Sequence, residues 1–226
     1  MITIASRRAR QLLTVLIPSI LIPLVVLAGA LLRSRHYGLV SLIVVVLALM
    51  LFISGFERAQ TGTRRLVLVC VLTVLAVAGR LVPLLKPVAA VTMLAGMYLG
   101  GQAGFLTGAC AALLSNLFFG QGPWTPFQMF AWGLIGLLAG LAAGPLKRHR
   151  WLLLLSGAAA GLLFSAVMDV WTVLWLGEAD PAVYGAALIT ALPFTALYAA
   201  GNVLFLLLLA KPIGRKLERV CLLYDI

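Results

Sequence analysis

Residues 115–133 read Ser115-Asn-Leu-Phe-Phe-Gly-Gln-Gly-Pro-Trp-Thr-Pro-Phe-Gln-Met-Phe-Ala-Trp-Gly133. The stretch carries no charge, yet it interrupts a chain that otherwise reads as apolar helix. Pro123 and Pro126 forbid a continuous helix, because each lacks a backbone donor and clashes with the preceding turn. Gly120 and Gly122 permit a tight path between them. Asn116, Gln121, Trp124, Thr125, Gln128 and Trp132 crowd the break. A loop that only joins two membrane helices needs no such polar and aromatic company. The stretch reads as the lid and wall of a small-molecule site.

The flanking sequence sets the class. Of 226 residues, 63% are hydrophobic and 10% are charged, and the mean hydropathy is +1.13. Soluble domains carry about 25% charged residues. Apolar runs near twenty residues long recur, the length needed to cross a hydrocarbon core of roughly 30 Å. They do not alternate as barrel strands do. The chain is therefore expected to be an all-α integral membrane protein. The 17 Lys and Arg residues, which give a formal charge of +11, fall in short clusters between apolar runs. That is the pattern of topology signals, not of a nucleic-acid face. Cys70, Cys110 and Cys221 show no metal or redox spacing, and His36 and His149 have no second ligand near them in sequence. No metal and no cofactor is expected.

Eight helices are predicted, at about residues 12–32, 39–56, 66–81, 88–100, 101–119, 127–146, 151–176 and 183–210. The first run is too long for a signal-peptide core and lacks a convincing cleavage site before Arg33. A polar linker at 57–65 divides the chain into a two-helix extension, residues 1–60, and a six-helix core, residues 61–226. Gly100, Gly104, Gly108 and Ala112 make a small-residue stripe on the fifth helix, and Gly136, Gly140 and Gly144 make a second on the sixth. Such stripes let backbones approach closely in lipid. The eighth helix should be interrupted near Pro193 and end at a basic tail beginning with Lys211.

With the N-terminus inside, eight spans place 13 of the 17 basic residues inside. Arg33, Arg35, Arg80 and Lys86 remain outside. Seven or nine spans spoil this division, so both termini are expected in the cytoplasm. The 115–128 break then faces the exterior, as do the loops at 80–87 and 175–184.

Asp169 is the only acid inside a predicted span, and an intramembrane carboxylate is a functional candidate by default. Thr172 follows at i+3 on about the same face. The alternative for Asp169 is a pair with Arg80 or a hydrogen bond to a neighbouring helix. Asn116 and Gln128 carry donors and acceptors suited to a neutral polar ligand; the alternative is capping of two helix ends. Trp124 and Trp132 could stack on a planar ligand, or belong to the interfacial aromatic belt. Tyr198 and Asn202 share a face of the eighth helix, Tyr198 as a cavity wall and Asn202 as interhelical glue. The candidate binding set is Arg80, Asn116, Trp124, Thr125, Gln128, Trp132, Asp169, Thr172 and Tyr198. No zinc signature, nucleophile elbow or phosphate loop is present in the sequence.

Three blocks resemble the substrate-binding S components of energy-coupling factor (ECF) transporters. They are the glycine-rich hairpin at 94–105, the Phe119-Gly-Gln-Gly-Pro-Trp-Thr-Pro126 run with its flanks, and Trp132-Gly133-Leu-Ile-Gly136. The resemblance extends over residues 64–219. It implies a six-helix core that binds a vitamin from outside, with cobalamin or a precursor the nearest branch. It further implies a membrane T component and two cytoplasmic ATPases as partners. Two features depart from that family: the two N-terminal helices are extra, and the docking helix has Cys70, Thr73, Ala76 and Gly79 where an Ala-xxx-Ala pattern is usual. A membrane enzyme acting on a lipid-like substrate and an assembly protein without a small-molecule site are the competing readings.

Overall fold

A computed structural model describes residues 7–31, 37–54, 59–81, 86–176 and 180–224. The basic loop at 33–36, Glu57, Arg58, Pro83 and Glu178 lie outside the described residues. In chain order the helices are α1 (Arg7–Leu16), α2 (Ile22–Leu31), α3 (Tyr37–Ser54), α4 (Ala59–Gly79) and α5 (Val88–Leu99). Then come α6 (Gly101–Phe119), α7 (Thr125–Leu141), α8 (Ala143–Arg148), α9 (Arg150–Leu176) and α10 (Pro181–Tyr224). A π-helical turn at Ile17–Leu21 joins α1 to α2 and contains Pro18. There is no strand among the described residues. Five helical segments are long and apolar enough to cross a membrane: Gln11–Leu31, Tyr37–Ser54, Gly101–Phe119, Arg150–Leu176 and Pro181–Tyr224. α5 and α7 are apolar but shorter. This is an all-α protein of multi-pass membrane type.

The core is built on glycine. α6 packs most extensively on α7, and α5 packs on both. A Cβ on Gly96 would strike the backbone of Gly136, one on Gly104 would lie 2.6 Å from Gly96 Cα, and one on Gly108 would strike Trp132. A Cβ on Gly140 would meet Gly101. Gly104 and Gly108 thus pack on α7, and Gly136 and Gly140 on α5 and α6, so three backbones touch where side chains would otherwise stand; Gly144 lies beyond the contact, in α8. Lipid tails are as apolar as leucine, so such contact is a main source of helix adhesion in a membrane. The α5–α6 link turns at Gly100, whose φ of +94° suits glycine alone at low cost.

α9 and α10 form a second tight pair. A Cβ on Gly161 would lie 2.7 Å from the Ala199 nitrogen, and Asn202 Nδ2 donates to the Gly157 carbonyl at 3.2 Å, the interhelical role expected for it. α3 packs on α6 and α7, so the N-terminal helices cover one flank of the glycine-built trio.

Four expectations need correction. α4 begins at Ala59, so most of the anticipated linker is helical. Its first turns gain tertiary support, since Arg64 Nη1 donates to the Tyr224 carbonyl at 2.8 Å and Arg65 donates to the Leu99 carbonyl. α7 stops at Leu141, and the remainder of the predicted sixth helix is the separate short α8. α10 runs unbroken through Pro193 and Pro212 to Tyr224. Its 44 residues extend roughly 66 Å at about 1.5 Å each, about twice a hydrocarbon core, so the basic segment after Lys211 is helix rather than tail. Its buried Gly214 and Leu217 and half-buried Cys221 face inward, with Gly214 against Tyr98. Finally, the supposed docking stripe is divided: Thr73 and Ala76 are buried and Gly79 is half-buried, while Cys70 is exposed along with Val67, Val71, Val74 and Leu75.

Replacing Gly136 by Ala is expected to lower the midpoint of thermal unfolding in detergent by several degrees, because overpacking against a backbone costs about 1–3 kcal/mol. A Cβ on Gly144 would meet nothing within 4 Å, so Gly144→Ala should leave the midpoint unchanged or raise it slightly.

Candidate functional site

Five helix ends converge on one end of the bundle: the last turns of α4, α6 and α9 and the first turns of α5 and α7. There the chain leaves α4 at Arg80, whose side chain is 8% exposed. A buried guanidinium is costly unless its donors are satisfied. Arg80 Nη1 donates to Ser115 Oγ at 2.5 Å and to Asn116 Oδ1 at 2.6 Å. The chain of donors continues from there. Ser115 Oγ donates to the Ala111 carbonyl at 2.6 Å. Asn116 Nδ2 donates to Thr125 Oγ1 and to Gln128 Oε1, both at 2.9 Å. Thr125 Oγ1 donates to Gln121 Oε1 at 3.0 Å, and Gln121 Nε2 donates to the Leu113 carbonyl at 2.8 Å. The amide orientations are thus dictated by the cation: Asn116 must turn its oxygen to Arg80 and its nitrogen to α7. The proline-broken stretch is what places Thr125 and Gln128 opposite Asn116, because the Gly120 turn (φ +98°) folds α7 back along α6.

The sequence suggests that these amides wait for a ligand. In the structure they bond to one another and to Arg80, which fixes Asn116 and Thr125 in place. Gln128 keeps its Nε2 free of any hydrogen bond among the described residues.

Beside this network lies an aromatic group. The Arg80 guanidinium carbon stands 5.2 Å from the Trp132 ring and 4.9 Å from the Phe119 ring. Trp132 stacks on Phe164 of α9 at 5.0 Å, and Phe164 meets Tyr198 of α10 edge-on at 5.3 Å. Lys86, Trp132, Phe164, Tyr198 and Asn202 border a cavity of about 10 Å³, room for about one water. Lys86 is half-buried, with its ammonium 6.0 Å from the Phe119 ring. Burial, and secondarily the nearby Arg80 charge, push its pKa below the usual lysine value. One turn further along the same helices, Met93, Ile135, Ala139, Ala160 and Leu163 border an apolar cavity of about 300 Å³, open on one side. Both cavities lie in the seam between the α5–α7 side and the α9–α10 pair.

The other sequence candidates form a separate group. Trp124 meets Trp171 edge-on at 5.8 Å, and Trp171 stacks on Trp175 at 6.0 Å. Thr172 donates to the Met168 carbonyl of its own helix. Asp169 is 8% exposed and does not pair with Arg80; its Oδ2 has no partner among the described residues. Ser165, one turn earlier, receives a 2.5 Å bond from Thr195 of α10. That hydroxyl pair ties α9 to α10 beside Asp169.

Three contributors escape a reading of the sequence. Lys86 reads there only as a topology charge, although its place beside Pro87 at the start of α5 marks it as held near a helix end. Phe164 sits in an apolar run with no local signal. Ser115 belongs to the proline-broken stretch, but nothing in its neighbours gives it a role.

An uncharged polar lid over a buried cation, set on close-packed apolar helices, defines a helical membrane protein with an internal polar site at one end. Within that class, the chain belongs to a family described as "Family of unknown function (DUF6580)", whose model matches residues 60–213. That match begins with α4 and leaves α1 to α3 outside it. No curated protein and no solved structure matches the chain.

Asn116→Leu removes one of the two acceptors of a buried guanidinium and is expected to destabilise by about 1.5–3 kcal/mol, the worth of a hydrogen bond to a charged group. In a thermal-unfolding double-mutant cycle, Arg80→Met with Asn116→Leu should cost clearly less than the two single changes added together.

Proposed function

We propose that the chain is the substrate-binding membrane subunit of an ECF-type importer. It takes up a vitamin-like small molecule at the Arg80–Trp132–Tyr198 end and passes it across the membrane with a T component and two ATPases. The observation that carries this reading is the seam. The helices on one side of it are welded by glycine backbone contacts, and so are α9 and α10 on the other. Between the two sides, two cavities follow one another at a spacing of one helical turn. Packing is tight within each side and incomplete between them, which is the arrangement a molecule would exploit by parting α9 and α10 from α7. The stacked Trp132 and Phe164 rings wall the smaller cavity and would close behind a ligand.

The unliganded cleft is small, and its walls are a stacked indole, a phenyl ring and a phenol. These suit a small planar molecule better than a corrinoid ring. Eight spans with both termini in the cytoplasm are part of the same proposal. That orientation puts the Arg80 end outside, where a scavenged nutrient arrives. Docking on the T component would use the exposed Val67, Val71, Val74 and Leu75 face of α4, by large apolar side chains in place of the usual small ones.

Purified in mild detergent and then denatured, the protein is expected to release a small molecule identifiable by mass spectrometry. Trp132→Ala should reduce the amount recovered at least about tenfold, since stacking and burial of one aromatic face contribute about 1–3 kcal/mol. Absence of any bound small molecule, with no ATP-dependent uptake by cells that also express a T component and its ATPases, would overturn the import reading. For orientation, a single cysteine at Asp180 should react with a membrane-impermeant maleimide on intact cells, while one at Arg148 should react only after permeabilisation.

A further inference from the structure

The site contains two cations and no anion among the described residues. Arg80 is more than nine-tenths buried, and Lys86 shares the Phe119 ring with it, the guanidinium carbon 4.9 Å and the ammonium 6.0 Å from that ring. No carboxylate among the described residues pairs with either, and Asp169, the buried acid of α9, leaves its Oδ2 without a partner among them. Uncompensated like charges at the rim of an apolar bundle are expensive, which favours an occupant that brings negative charge.

The hydrogen-bond inventory of Arg80 adds direction. Nη1 uses both of its hydrogens on Ser115 and Asn116. Nε is buried with no partner, and Nη2, which shares its edge of the guanidinium, makes no hydrogen bond among the described residues. Two parallel N–H groups on one edge of an arginine are the geometry that grips an oxyanion bidentately. Ring contacts hold the guanidinium in place: Phe119 and Trp132 both lie within cation–π distance of its carbon. Trp132 is also a wall of the small cavity, and Lys86 is another. Lys86 thus borders the aromatic cleft directly, and the Arg80 guanidinium lies against the Trp132 ring that walls it.

Resting on the import reading above, we infer that the transported molecule is a small planar acid. Its carboxylate is bound by the Nε–Nη2 edge of Arg80 and by Lys86, and its ring is held against Trp132, Phe164 and Tyr198. A neutral ligand would leave both positive charges uncompensated after displacing the water that screens them. An acid neutralises one charge and offers acceptors to both cations. The same two cations could instead hold the phosphate of an anionic lipid, and the experiment separates the two sources.

The test compares wild type with Lys86→Gln and Arg80→Gln, using the full chain in detergent. Small molecules and lipids released on denaturation are sorted by charge and mass, and tryptophan fluorescence is titrated with nicotinate and with its neutral isostere nicotinamide. The expected results are an organic acid bound to wild type and at least about tenfold less of it in Lys86→Gln. Nicotinate should quench at a concentration at least about tenfold lower than nicotinamide, with the preference lost in Lys86→Gln. Because Arg80 also anchors Ser115 and Asn116, Arg80→Gln is interpreted only if its size-exclusion profile matches wild type; Lys86→Gln decides the matter otherwise. A released neutral compound, or equal response to the two probes, overturns the acid assignment and leaves the import reading standing. Anionic phospholipid as the only bound anion also overturns it, by making the pair a headgroup site. Release of no small molecule of any charge overturns the import reading itself.

Discussion

Backbone-to-backbone contact among α5, α6 and α7 is the constraint from which the other features follow. Gly96, Gly104 and Gly136 meet at one level, Gly108 and Trp132 at the next, and Gly101 and Gly140 at a third. In water, burial of large side chains would hold three helices together. In lipid that drive is largely absent, and close dispersion contact takes its place. The three helices are thereby fixed at a spacing that admits no adjustment. Any side chain larger than hydrogen at those levels pushes backbones apart, so the trio behaves as one body. α9 and α10 repeat the device at Gly161, against the Ala199 backbone, while Gly157 makes room for the Leu206 side chain. Two stiff units joined by ordinary side-chain contacts must have their least perfect packing where they meet, and both seam cavities are there.

The same rigidity explains how a charge is tolerated at Arg80. Two charge-assisted hydrogen bonds, each worth about 1.5–3 kcal/mol, and two ring faces at about 0.5–2 kcal/mol each oppose a desolvation cost of several kcal/mol. These magnitudes are comparable, so the outcome depends on geometry. The acceptors on α6 do not drift, because α6 is locked to α7. The donor relay through Asn116 to Thr125 and Gln128 converts that stiffness into fixed amide orientations. Such a network cannot be half made without exposing unsatisfied donors in a low-dielectric setting. The proline-broken stretch serves first to close this network, and only through it to shape the cleft.

Much of this is legible in the sequence, and the failures have physical causes. Hydropathy locates every long helix, since burial in lipid and burial in a core ask for the same residues. The glycine stripes are readable because four-residue spacing puts them on one face; Gly104, Gly108, Gly136 and Gly140 do make the contact, while Gly144 falls in α8 with no neighbour and Gly100 meets Arg65. Hydropathy misplaces the end of α10, because Lys211 ends an apolar run without ending a helix. Continuation depends on Gly214 packing against Tyr98, a contact between residues far apart in sequence. The linker at 57–65 fails for the same reason: Arg64 and Arg65 find carbonyl partners on Tyr224 and Leu99. The candidate site splits in two because Asp169 and Thr172 share a helix with Phe164 but sit one to two turns beyond it. No local pattern tells which turn of α9 meets Trp132. Composition around the loop correctly marks a polar centre, but it cannot say whether the amides face a ligand or one another. That depends on the position of Arg80, which lies 36 residues from Asn116.

The arrangement also links binding to shape. A ligand shifts a conformational equilibrium only by the difference in its affinity for the two states. The self-satisfied amide relay stays intact whether or not the cleft is filled, since its donors and acceptors belong to α6 and α7 and to the end of α4. It therefore contributes nothing to such a difference. The groups that do change their surroundings are the unspent edge of Arg80, the Lys86 ammonium and the rings of Phe164 and Tyr198, and these sit on both sides of the seam. An occupant touching all of them is bound fully only when α9 and α10 lie against α7, so its binding energy would be stored in closing the seam. Positive charge without a counterion works in the opposite sense when the cleft is empty, because water reaching Arg80 and Lys86 through a parted seam solvates them. On the import reading proposed above, the empty protein would then favour the open form and the loaded protein the closed one.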